Sequence, residues 1–134
     1  MQVTRRTLVL AGVALALGFA WSAIRVGGRE VGVLRTFDVH GKDFYTTLWV
    51  VDDDGFVWIR ANRPDRKWLA YVQQNPNVEL RRGGRQRGYR ALIFDKPEAR
   101  AHVDPRFREK YGLADRWRAW RDGNDTIPIR LQPR

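Results

Sequence analysis

Apolar residues along this chain follow three kinds of pattern. The first is an unbroken run. TLVLAGVALALGFAWSAI, Thr7 to Ile24, holds 18 residues and no charge. As a helix it would reach roughly 27 Å at about 1.5 Å per residue, slightly less than the hydrocarbon thickness of a bilayer. It has no polar face, which a surface helix of a globular domain would need. Arg5 and Arg6 precede it as a positive n-region, and TRRTLVL resembles a twin-arginine export signal. Residues 1–27 are therefore read as an N-terminal hydrophobic helix, either a membrane anchor or an export signal. The export-like motif places the domain outside the cytoplasm, on the periplasmic side.

The second pattern is the period of two that marks strands, and it fills the domain read over 28–134. Val31 to Val39, Phe44 to Asp52 and Phe56 to Ala61 are rich in β-branched and aromatic residues. They are separated by HGKD and DDDG, and Gly55 supplies the positive φ of a hairpin turn, so Asp53 and Asp54 read as turn residues. In Phe44 to Val51 both alternating sets are largely apolar, which predicts a strand covered on both faces. For an antiparallel protein of this size that suggests a closed barrel packed outside by a helix or by a second subunit. Val78 to Arg82 and Arg87 to Asp95 add two strands around the GGRQ turn. Thr126 to Leu131 reads as a closing strand that Pro128 would confine to an edge or break.

The third pattern is helical spacing. Trp68, Leu69 and Val72, with Tyr71 beside them, predict a short amphipathic helix capped by Asn62, with Pro64 in its first turn and Asn75 and Pro76 at its end. Arg63, Arg66 and Lys67 crowd the start of that helix, although the positive end of a helix dipole prefers acidic neighbours. Pro97 begins a more polar helix towards Gly112, interrupted at Asp104 and Pro105, and Trp117 and Trp120 fall in a last short turn where they are expected to pack. The chain reads as mainly β with short helices, an α+β fold.

Composition narrows the chemistry. The net charge of +10, from 25 basic and 15 acidic residues, favours an anionic partner. There is no cysteine, the only serine is Ser22, and His40 and His102 stand in unrelated segments. A serine or cysteine nucleophile is thus absent, and the spacing of a zinc site is missing. Neither a Rossmann fingerprint nor a P-loop occurs. A domain with many aromatics and cationic clusters but no nucleophile or metal set suits a cofactor that carries the chemistry itself. Tyr45, Tyr71, Tyr89 and Tyr111 could donate a proton, and no feature singles one out.

TTLWVV at 46–51, DGFVWIRA at 54–61, RPDRKWLAYVQQNPNVELRRGG at 63–84, RGYRA at 87–91, FREKYG at 107–112 and DTIPIRLQP at 125–133 form an ordered set. That set resembles the deazaflavin-dependent nitroreductase and quinone-reductase family, relatives of the pyridoxamine-phosphate-oxidase-like flavoproteins. The resemblance implies a six-stranded antiparallel split β-barrel, often a homodimer. It implies FMN or 8-hydroxy-5-deazaflavin as cofactor, and hydride transfer to a quinone, a nitro compound or a similar small acceptor. It also gives the cationic helix start an occupant, the cofactor's phosphate, held by Arg63, Arg66 and Lys67 with the first-turn N–H groups. Of the family's glycine-rich cationic segment between the first strands, Gly41 and Lys42 remain. Thr46, Thr47 and Trp49 would line the ring, or else fill the barrel, and Asn62 and Trp68 join the cofactor-binding set that the resemblance implies. Arg60 stands among Phe56, Trp58 and Ile59 and requires a partner or a route to water.

A different class remains open. Arg81, Arg82, Arg85, Arg87 and Arg90 make the densest basic run, and such a hairpin could bind anionic lipid or nucleic acid as a non-catalytic module. A membrane leader argues against nucleic acid.

Overall fold

The computed structural model describes residues 25–26 and 29–134, with side chains from Glu30 onward. The apolar stretch Thr7–Ile24, and the anchor reading with it, lies outside the described residues. Among the described residues no helix is long and apolar enough to cross a membrane.

The alternating segments form strands in the predicted order. A short antiparallel pair, β1 (Arg25–Val26) and β2 (Arg29–Glu30), precedes β3 (Gly32–Phe37), β4 (Asp43–Leu48), β5 (Val51–Asp53) and β6 (Phe56–Ala61). Helix α1 (Lys67–Gln74) leads to β7 (Asn77–Arg82) and β8 (Arg85–Ile93), followed by α2 (Pro97–Tyr111), α3 (Leu113–Asp122) and β9 (Ile127–Pro133). Seven strands share one sheet in the order β4-β3-β7-β8-β9-β6-β5, all neighbours antiparallel. Its two edges, β4 and β5, are joined by Trp49 and Val50 alone, so the sheet must curl until the edges approach each other at that end.

Six expected strands become seven because the segment 44–52 divides at this link. The hydroxyl of Tyr111 accepts from the Val50 N–H and stands 3.0 Å from its carbonyl oxygen, replacing the strand partner that the backbone would otherwise need. The expectation that this segment is covered on both faces is also corrected. As the edge strand, β4 leaves Tyr45 62% exposed. Gly32 fits the seam for a steric reason, since a Cβ there would lie 2.9 Å from Val50 Cγ2 and 3.0 Å from Leu80 Cδ1.

Two apolar clusters flank the sheet. Inside the curl, Leu34, Ile59, Val78, Leu80, Ile129 and Leu131 meet Trp68, Leu69 and Val72 from α1. Outside it, Val103, Phe107 and Tyr111 of α2, spaced four apart, cover Val51 and Trp58. Helix α2 runs through Pro105 without the predicted interruption. The loss of one backbone bond, about 3 kcal/mol, is opposed by side chains tied down around it: Asp104 is held by Arg60 and Thr126, and Phe107 is fully buried. Strand β9 is central and not at an edge. Its β8 ladder ends at Ile93↔Ile129, and the Pro128 carbonyl, accepting from Phe94 N at 2.9 Å, shows that the proline nitrogen faces the end of that ladder.

Candidate functional site

The site grows from a charge in an apolar strand. Along β6, Val57, Ile59 and Ala61 face the curl, which turns Trp58 and Arg60 outward beneath α2 and α3. Arg60 has a side chain only 1% exposed, and two carboxylates meet it there, Asp104 at 2.8 Å and Asp115 in a shorter contact. Asp115 also accepts from Arg118 Nε at 2.8 Å, and Thr126 donates to Asp104 at 3.0 Å. The Phe107 ring lies 4.2 Å below the Arg60 guanidinium. Burial pushes the Arg60 pKa down, and the charges of Asp115 and Asp104 oppose that push. Because this charge must be balanced, α3 turns its polar edge, Asp115 and Arg118, towards the sheet.

Beside this network opens a cavity of about 390 Å³, bordered by Val31, Thr46, Thr47, Leu48, Trp49, Arg60, Asn62, Arg66, Trp68, Arg118 and Arg121. The volume falls within the roughly 300–1,000 Å³ of small-molecule sites. Its walls come from the β4 edge, the end of β6, the start of α1 and the inner edge of α3. Trp49 presents a flat wall, stiffened by stacking on Tyr111 at 4.4 Å and 7°. Trp68 is buried and Asn62 half-buried.

The cationic side of the cavity is under-neutralised. Asp122, with a side chain 4% exposed, is shared by Arg66 at 3.5 Å and Arg121 at 3.1 Å. Arg121 holds the Asp122 carboxyl below the ordinary range. Four guanidiniums, of Arg60, Arg66, Arg118 and Arg121, are thus met by three carboxylates. Arg60 Nε is buried and has no hydrogen-bond partner among the described residues.

Seven of the ten residues singled out from sequence border this cavity: Thr46, Thr47, Trp49, Arg60, Asn62, Arg66 and Trp68. Lys42 does not. It sits in the β3–β4 turn with its ammonium 5.4 Å from the Phe44 ring, at the far end of β4 from Thr46. Arg63 lies outside as well, exposed and paired with Asp65 at 2.5 Å, and Lys67 is exposed. The helix begins later than predicted. Arg66 is its N-cap, without a side-chain capping bond, and Asn62 and Pro64 belong to the preceding loop. None of Tyr45, Tyr71, Tyr89 and Tyr111 borders the cavity.

Arg118 and Arg121 were missed in the sequence, along with Val31 and Leu48. The expectation that Trp117 and Trp120 pack is corrected too, because they are 66% and 80% exposed. The readable signal was DRWRAWRD, in which Asp115, Arg118 and Asp122 fall on one helical side and the tryptophans on the other.

No family model matches the chain, and no curated protein matches it in sequence. Solved structures match it in fold, and they define the class as a split barrel. An F420-H2-dependent reductase is 19% identical, over 76% of this chain and 93% of its own, with a TM-score of 0.62. A chain described as a domain-swapped dimer is 19% identical over 76% of this chain and 79% of its own, with a TM-score of 0.61. A pyridoxamine 5′-phosphate oxidase-like protein from Listeria innocua is 13% identical over 77% and 82%, with a TM-score of 0.59. The likeness is one of fold, and the reductase and oxidase names among these neighbours agree with the sequence resemblance.

Proposed function

We propose that this chain is an oxidoreductase whose cavity holds FMN or 8-hydroxy-5-deazaflavin and serves a quinone, nitro compound or similar small acceptor. The observation that carries the reading is the cavity's donor set: four guanidiniums against three carboxylates, beside two tryptophan walls. A phosphorylated ring compound is complementary to that set. The buried, unpartnered Nε of Arg60 is a further donor next to the same space. Hydride transfer would be supplied by the bound cofactor. Arg66 and Arg121, sharing one carboxylate, would bind its phosphate; Trp49 and Trp68 would orient the ring and exclude water; Thr46, Thr47 and Asn62 would hydrogen-bond its polar edge.

The domain-swapped neighbour supports pairing with a second copy. The apolar stretch 7–24 supports a membrane-held domain, and the export-like TRRTLVL motif supports its placement outside the cytoplasm.

Titrating the full chain with FMN and with the reduced deazaflavin, followed by absorbance, tests the assignment. A charge-assisted hydrogen bond contributes about 1.5–3 kcal/mol, so Arg66→Ala and Arg121→Ala are each expected to weaken uptake roughly tenfold or more. No uptake of either compound, or uptake indifferent to both substitutions, refutes the proposal. Salt-sensitive binding to oligonucleotides or anionic vesicles through Arg81, Arg85, Arg87 and Arg90, with no cofactor uptake, would favour the binding-module reading.

A further inference from the structure

Helix α3 is built inside out. Asp115, Arg118 and Asp122 face the protein with side chains 4%, 5% and 4% exposed. On the opposite side, Leu113, Trp117 and Trp120 are 68%, 66% and 80% exposed. Together with Arg116 they recur at the i, i+3, i+4, i+7 spacing of a single helical face and border an open hollow of about 410 Å³. The two indoles hold each other edge to face at 5.8 Å. The inward demand for counter-charge explains why the polar edge is buried, yet nothing within the described residues covers the apolar one. An exposed apolar patch with this geometry calls for an external partner.

We propose that this face of α3 docks on an anionic lipid surface. Tryptophan suits the bilayer interface because its ring is apolar and its N–H polar, and arginine beside it can reach lipid phosphates while its stem stays in the apolar layer. A helix with that composition on its exposed side lies in the plane of the interface. Arg116 within the face matches an anionic headgroup, and the chain's +10 charge adds a general attraction.

Connectivity supplies the second argument. The uncharged run Thr7–Ile24 joins the folded domain through Arg25 to Glu30. Glu30 is fastened to the end of α2, next in the chain to α3: its carbonyl accepts from the Tyr111 hydroxyl at 2.7 Å, and its carboxylate accepts from Lys110 at 2.7 Å. Leu113, the first residue of α3, follows Tyr111 by two positions. The five residues from Arg25 to Arg29 can span at most about 17 Å. A bilayer that holds the apolar run is therefore within reach of the tryptophan face. The basic β7–β8 hairpin would be the other lipid-facing candidate, since Arg82 also pairs with the Glu30 carboxylate at 2.8 Å, and what it lacks is the apolar patch.

The natural chain contains no cysteine, which makes a single reporter straightforward. The full chain carrying Leu113→Cys, labelled with an environment-sensitive fluorophore, is reconstituted in vesicles of phosphatidylglycerol and phosphatidylcholine in equal parts. A second sample carries Arg85→Cys on the basic hairpin. The expected result is a blue shift at position 113 and loss of most of its emission when the acyl chains are brominated, with no change at position 85. In phosphatidylcholine alone the quenching at 113 should fall, and adding Arg116→Glu should lower it in the mixed vesicles. Arg116→Cys repeats the reading if the first variant does not fold. The proposal is overturned if label at 113 and 116 is unquenched by brominated lipid. A blue shift at 113 that brominated lipid does not quench would assign the cover to a second copy or to the chain's own apolar run, and a response confined to position 85 would move the lipid surface to the hairpin. This outcome is independent of what the cavity binds.

Discussion

Asp115 is the most vulnerable carboxylate in the molecule. It is shared by Arg60 and Arg118, and all three side chains are at most 5% exposed. In Asp115→Ala two guanidiniums remain buried beside one another. Asp104 still answers Arg60 and the Gly123 carbonyl still accepts from Arg118, but the anion between them is gone. Removing one partner of a buried pair costs about 3–5 kcal/mol. At roughly 4–8 °C per kcal/mol for a domain of this size, the melting temperature should fall by at least about 12 °C. Arg60→Met should be milder, although it removes more atoms from the contact list. Asp115 keeps Arg118, and Asp104, which loses its cation, keeps the Thr126 hydroxyl and is 20% exposed, so no charge is left both unpaired and fully buried. The loss is then the contact with Phe107 and two charge-assisted bonds, offset by relief of desolvation, for a net cost of about 1–2 kcal/mol. Thermal unfolding of the full chain in mild detergent, followed by circular dichroism, compares the two. If Asp115→Ala lies within about 1 kcal/mol of the parent, or Arg60→Met is the more damaging, counter-charge is not what orients α3.

Two further outcomes concern the seam and the arm before it. Burial would raise the Glu30 carboxyl, but hydrogen bonds and charge from Arg82 and Lys110 bring it from 4.5 down to about 2. A depressed folded-state pKa means that its stabilising contribution is complete above about pH 4.5 and is lost as pH falls towards 2. Glu30→Gln should accordingly flatten the fall in stability across that acid window and lower stability at neutral pH; an unchanged acid profile refutes the assignment. Tyr111→Phe leaves the buried Val50 N–H without its acceptor and should cost about 1–3 kcal/mol, with faster amide exchange at Val50 as the local readout. Exchange at Val50 equal to that of the parent would show that another group replaces the hydroxyl.

The strands were legible because alternation and turn chemistry are local. The two-residue loop Asp54-Gly55 and the Gly83-Gly84 loop adopt the positive φ values that their residues favour. What a single segment cannot reveal is who its neighbour will be. Pro128 suggested an edge by rule, whereas its nitrogen merely falls where the β8 ladder ends. Pro105 suggested a break, and tertiary contacts on both sides of it kept the helix intact. For the site, aromatic and cationic letters near the α1 start led to most of the lining. Arg118 and Arg121 escaped because their place depends on α3 facing the sheet with its polar edge, which follows from Arg60 being buried 55 residues away in the chain from Asp115. The tryptophans of α3 were misread for the same cause: apolar residues were expected inside, and a buried charge had already claimed that side.

Strand β9 has a consequence for how the molecule assembles. In sheet order it alone links the β4-β3-β7-β8 block to the β6-β5 hairpin. Ala61 must wait for Ile127, and Ala91 for Leu131, before either pairing exists. The β7–β8 and β5–β6 hairpins can form early from nearby partners, yet each then exposes a raw strand rim until the bridging segment has been made and threaded between them. Closure is thus a late, single-step event of high sequence separation, and in the interval those two rims are the sites where the nascent chain is open to wrong pairing or to a holding chaperone.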